Sequence, residues 1–412
     1  MTIRDTVEAN WPRELALLNA LVRSPSDNPP GDCAPFAAVA ATNLETLGLA
    51  VERHPVPDAL VRANGLTSVT NLIVRRTFGS GGGPVVALNA HGDVVPPGDG
   101  WTVDPYGAVE RGGAVYGRGS AASKSDFATY AFALLALEAN ADGLDGAVEL
   151  HFTCDEEAGG LVGPKWLIDQ GLTRATHAIC AGFSYAVTTA HNGCLHLEVT
   201  LTGRQAHAAN TAAGRDALEA AVPVLSAIYA ERRRLATRVS NIGGIGSPQI
   251  TVGTIAGGIN TNVVPDRVVL RIDRRIVPEE DGDAVERELV ALIEHAVPSG
   301  QGVSVACRRI LLAAPLRSTP GAGDLARSLS RHAERVLGVR APEAGAPLYT
   351  DARHYAAAGM PVVLYGAGPR TIAEANAHAA DEHVLLADLK AATVIVALAV
   401  ADMLSRGTPC GR

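Results

Sequence analysis

The chain has 412 residues, 47% hydrophobic and 19% charged, long enough for two domains and too apolar to remain disordered. A net charge of −8, the lack of a basic run and an aromatic content of only 4% exclude a general nucleic-acid or acidic-membrane partner. No run of about eighteen apolar residues is free of charge, so no membrane span is expected.

The N-terminal stretch MTIRDTVEANWPRELALLNALVRSP carries early acids and apolar residues at helical spacing. It reads as an amphipathic first helix, not as a secretory leader. From residue 70 to 190, strand-like SVTNLIVRR, PVVALNAH, GAVELHFTC and HAICAG alternate with helix-like SKSDFATYAFALLALEA and GPKWLIDQG. This alternation predicts an α/β fold, a mostly parallel sheet with helices on both faces and catalytic groups at the carboxyl ends of its strands. GSGGG at 79–83 reads as a hairpin or strand–strand loop.

The pattern changes after Gly193. CLHLEVTLTG, PQITVGTIAGG, VVLRIDRRIV and VSVACRRILL read as strands, and GRDALEAAVPVLSAIYAERRRL and DGDAVERELVALIEHAV as helices. The order β-α-β-β-α-β predicts an inserted α+β domain over 193–313, within a catalytic domain of 1–192 and 314–412. Six cysteines (Cys33, Cys154, Cys180, Cys194, Cys307, Cys410) show neither CxxC nor a disulfide rhythm, which points to a reducing cytoplasm.

His91 and Asp93 form H-x-D at a strand end, where alternation puts both side chains on one side and lets the acid orient the imidazole. Asp155-Glu156-Glu157 follows a buried strand, where adjacent acids are costly unless a cation or proton offsets them. His378 lies in ANAHAADEH. Any one of these alone is compatible with a surface loop or a cap.

Taken in order, HGDVVPPGDGW, YGRG, DEEAGG, GRQAHAAN, GGINTNVVPD, DRRIVP and AHAADEH resemble one family. It is the zinc-dependent family of aminoacylases, carboxypeptidase G, acetylornithine deacetylase and succinyl-diaminopimelate desuccinylase. The resemblance spans nearly the whole chain and implies that the inserted domain is a lid pairing two protomers in a homodimer. It implies hydrolysis of a small amide, such as an N-acyl amino acid or dipeptide. His91 and His378 would each ligate one of two zinc ions, with Glu157 on the second. Asp93 would orient His91, and Glu156 would be the general base. His207 would stabilise the oxyanion in a neighbouring site, and Arg275 and Asn262 would hold the substrate's carboxylate or amide end.

Two departures stand against the ordinary metal centre. Where the family carries an acid that bridges both ions, this chain has Ala122 in GRGSAASKSD. Where the family has an acid before Pro, AICAGFSY places Gly182. With Glu157 the one ligand carboxylate left, two zinc ions would carry uncompensated charge, so at most one divalent metal is expected. Asp126, one helical turn after Ala122, substitutes in part for the bridge or else faces solvent or caps the helix. Ser120 and Ser123 read as caps, and Cys154 is the other small nucleophilic candidate near the site. Two alternatives stay open. One is a metal-independent enzyme of the same fold using Asp93, Glu156, Lys124 and the histidines for other amide, isomerase or lyase chemistry. The other is a non-catalytic binder of small molecules.

Overall fold

In the computed structural model, which describes residues 1–300 and 302–405, the chain divides into two compact units. Cys410 lies outside the described residues. Among the described residues, one unit comprises 1–189, 318–344 and 350–405; the other lies within 190–317 and 345–349.

The first unit is built on the apolar runs that the sequence places between residues 70 and 190. Strands Thr70–Phe78, Val85–His91, Gly146–Thr153 and His177–Cys180 belong to an eight-stranded sheet. In that sheet Val51–Pro55 is at one edge, and Val362–Leu364, Val187–His191 and Glu343–Ala346 follow His177–Cys180. The central pairings are parallel, while Val51–Pro55, Thr70–Phe78 and Val187–His191 pair antiparallel. Successive residues of Val85–His91 and Gly146–Thr153 are buried, so both faces of the sheet are covered. The helix Lys124–Glu138 packs on these two strands, and Ala352–Ala357 packs on His177–Cys180 and Val362–Leu364. GSGGG joins two strands that flank Gly146–Thr153, so it is a strand–strand loop and not a hairpin. No helix among the described residues is long and apolar enough to cross a membrane.

The second unit is a four-stranded antiparallel sheet in the order Gln249–Gly257, Arg267–Ile276, Gly193–Thr202, Ser304–Ala313. Alternation in Gly193–Thr202 sends Leu195, Leu197, Val199 and Leu201 into the core shared with helices Ala217–Leu235 and Gly282–Ala296. Cys194, His196 and Glu198 therefore share the opposite face.

Candidate active site

Register builds the site. His91 pairs with Thr153, so two neighbouring parallel strands end side by side. The H-x-D segment and the Asp155-Glu156-Glu157 turn leave the sheet at one place. Below them Phe127 stacks on Phe152 with ring centroids 4.0 Å apart and meets Phe36 edge-on at 5.7 Å. A side chain at Gly92 would strike the Phe36 ring, which explains the glycine between His91 and Asp93.

Asp93 is fully buried and does more than orient an imidazole. Its oxygens accept the backbone N–H of Glu156 (3.2 Å) and of Glu157 (3.1 Å), and Asn28 Nδ2 donates to it at 2.9 Å. The acidic turn is thereby tied to the histidine segment. His91 Nδ1 lies 3.0 Å from the Asp93 carbonyl and 3.4 Å from its carboxylate, which leaves Nε2 facing Glu156 at 3.9 Å. His378 Nε2 reaches Glu157 at 3.1 Å. Its backbone is left-handed (φ 64°), a conformation costing a non-glycine residue about 1–3 kcal/mol and concentrated at functional sites.

The charges are strongly coupled. Burial pushes Glu156 up to about 8; His91 opposes the rise, and Glu157 and Asp93 add to it. Burial alone would lower His91, but its bond to Asp93 and the charges of Glu156 and Glu157 hold it well above the usual imidazole range. The bond to Glu157 raises His378 against its partial burial. A cation placed here relieves repulsion that protons otherwise relieve.

The donor chemistry suits a divalent metal ion. Donor atoms of His91, Glu156 and Glu157 lie within 4.8 Å of one another, and His378 adjoins Glu157. Two imidazoles and a carboxylate are a zinc ligand set with room for a further ligand. Positions 122 and 182, where the resemblance expects carboxylate ligands, carry Ala and Gly and offer no donor. Gly182 is also closed sterically: a Cβ there would stand 2.8 Å from the Leu364 carbonyl carbon and the Tyr365 nitrogen. A Glu at 182 therefore cannot be restored without displacing the strand beside it.

Several expectations need correction. Asp126 neither faces solvent nor caps its helix; it is 1% exposed and accepts the Ala367 N–H at 2.7 Å. The absence of a side chain at Gly366 lets Asp126 approach that backbone. Ser123 is not a side-chain cap, because its Oγ accepts the His91 N–H (3.0 Å) and donates to the His91 carbonyl (2.9 Å). Lys124 is fully buried and donates to the Ser24 carbonyl at 2.8 Å over the Phe36 ring. Cys154 is buried against Cys33, which, with burial, pushes its thiol pKa up.

In the second unit, His207 and Asn262 come together on adjoining exposed loops, where Ala208 N–H donates to the Asn262 carbonyl at 2.9 Å. His207 Nδ1 accepts the Ala209 N–H at 3.0 Å. Arg275 lies on Arg267–Ile276, and its Nε donates to Asp273 at 3.0 Å. Two further residues belong to the first site. Asp351 is buried, and the charges of Glu156 and Asp155 join burial in raising its pKa well above the usual range. Glu382 pairs with Arg118 at 2.5 Å and accepts the Ala121 and Ala122 N–H groups at 3.0 and 3.3 Å. An acid after YT and the final acid of AHAADE were the available signals for them.

A mostly parallel sheet, an inserted antiparallel unit and a His/Glu cluster at the strand ends are the features of a metallopeptidase with a mixed α/β fold. The chain belongs to peptidase family M20/M25/M40, whose pattern matches residues 87–402. It is 29% identical over 394 residues to a succinyl-diaminopimelate desuccinylase of Rhizorhabdus wittichii, covering 92% of this chain and 94% of that one. It is 28% identical over 371 residues to an acetylornithine deacetylase of Myxococcus xanthus, covering 89% and 91%. Human carnosine dipeptidase 1 shares the fold, with a TM-score of 0.76 at 17% identity over 98% of this chain and 99% of its own.

Proposed function

We propose that the protein is an amidohydrolase acting on a small N-acyl amino acid, N-acyl diamino acid or dipeptide, with one divalent ion, zinc, held by His91, Glu157 and His378. The observation supporting this reading is the grouping of His91 and Glu157 with Glu156, joined by the contact of His378 with Glu157, while positions 122 and 182 provide no donor. A divalent ion bound there supplies Lewis acidity toward an amide carbonyl and toward water. Glu156 takes the proton of the attacking water and passes it to the leaving nitrogen. Asp93 fixes the imidazole of His91 through Nδ1 and holds the Glu156–Glu157 turn in register with it.

Arg275 and Asn262 hold the substrate's carboxylate end, and His207 steadies the oxyanion in the cleft of a second protomer. Pairing into a homodimer through the 193–313 domain, within the cytoplasm, belongs to the same proposal. The sequestration of Lys124 by Ser24 removes one acid–base group that a metal-free enzyme would use, which favours the metal-bearing reading. The test is hydrolysis of a panel of N-succinyl, N-acetyl and dipeptide substrates, with chelated protein and with one equivalent of zinc restored. Turnover that needs the ion supports the reading; equal turnover without it, or none on any amide, overturns it.

A further inference from the structure

The second unit carries a group of ligating side chains that the proposed reaction does not use. Cys194 and His196 are two residues apart on Gly193–Thr202, and His196 stands directly opposite Asp273 on the antiparallel neighbour. All three therefore share the sheet face turned away from the two helices. Their donor atoms lie within 4.8 Å of one another. Asp273 Oδ2 is 3.0 Å from His196 Nε2 and 3.7 Å from Cys194 Sγ.

We propose that Cys194, His196 and Asp273 form a second divalent-metal site, selective for an ion such as zinc or cobalt that accepts sulfur, nitrogen and oxygen donors together. Zinc bonds of about 2.3 Å to sulfur and about 2.0–2.2 Å to nitrogen and oxygen place tetrahedral donors roughly 3.4–3.6 Å apart. The two separations to Asp273, 3.0 and 3.7 Å, bracket those values, and the third pair lies within 4.8 Å, so side-chain adjustment without a change of strand register suffices for binding. The donors sit on paired strands, which costs little ordering on binding. Cys194 is fully buried while His196 and Asp273 are partly exposed, so the fourth position opens outward from the sheet.

Arg275 both opposes and shapes the site. Its charge weakens cation binding, yet its Nε bonds Asp273 Oδ1 and so turns Oδ2 toward His196 and Cys194. On binding, His196 ligates through Nε2 as the neutral imidazole protonated at Nδ1, Asp273 ligates as the carboxylate, and the thiol proton of Cys194 leaves to solvent.

Cobalt(II) distinguishes this site from the one at His91, because only a cysteine ligand gives a thiolate-to-metal charge-transfer band in the near ultraviolet. Titration with cobalt should produce that band in the parent chain, and in His91→Ala, where the first site is disabled, the band should saturate at one equivalent per chain. Cys194→Ser should abolish it, while Cys307→Ser and His91→Ala leave it intact. His196→Gln, which keeps the thiol, should weaken cobalt binding by about tenfold or more. Lack of the band in the parent, its survival in Cys194→Ser, or unchanged affinity in His196→Gln overturns the proposal.

Discussion

In the proposed reaction, turnover rests on Glu156. Its carboxyl is buried beside His91 and Glu157, and Gln at this position preserves shape while removing basicity. Glu156→Gln should lower kcat by about 10²–10⁴-fold while the chain still binds zinc, measured by steady-state kinetics beside metal content. A loss under about tenfold removes Glu156 from the role of base. His91, Asp93, Glu157 and His378 were legible because each sits in a short motif at a predicted strand end or in a late loop. Asp351 was not, since a single acid ahead of a helix looks like an ordinary cap until the fold brings it beside Glu156. Asp126 was misread because helical spacing gives direction but not burial, and the backbone it meets comes from residue 367.

Between elements, the contact of the Gly182 segment with the Val362–Leu364 strand decides what can be engineered. Gly182 accepts the Gly368 N–H at 2.9 Å, and its missing side chain is what allows the approach. Gly182→Glu should therefore destabilise the fold by at least about 1–3 kcal/mol, read as a fall in the denaturation midpoint, without adding a metal ion. Wild-type stability in that variant contradicts the steric account. Sequence pattern exposed the loss of the acid but not the closure of its space, because the closing strand lies far along the chain.

Helix Ile3–Val22 provides an independent test of buried charge. Burial pushes Glu14 up to about 8, opposed by the Thr393 hydroxyl and by Lys390. Its folded value exceeds the ordinary 4.5, so its stabilising contribution is complete below pH 4.5 and is lost as the pH rises through about 8. Glu14→Gln should raise Tm at about pH 9 and have no such benefit at about pH 4. An equal shift at both values would show that the carboxyl is not held protonated. The buried Arg118–Glu382 pair is tied further into the fold, because Glu382 also anchors the Ala121 and Ala122 amides. Glu382→Ala should cost about 3–5 kcal/mol by leaving a buried guanidinium unpaired, measured by chemical denaturation.

At the scale of the whole molecule, the strand–helix rhythm and the later antiparallel order made the architecture readable from sequence. The polar face bearing Cys194, His196 and Asp273 was not, because these residues are distant in the chain and meet only through strand register. The central claim is that the family's two-ion centre is reduced here to one ion. It is tested most directly by zinc content per chain after chelation and reconstitution, using Cys194→Ser to silence the second unit's site. The account predicts one zinc per chain, lost in His91→Ala together with amide hydrolysis. Two zinc ions per chain at micromolar affinity in the Cys194→Ser protein would contradict it.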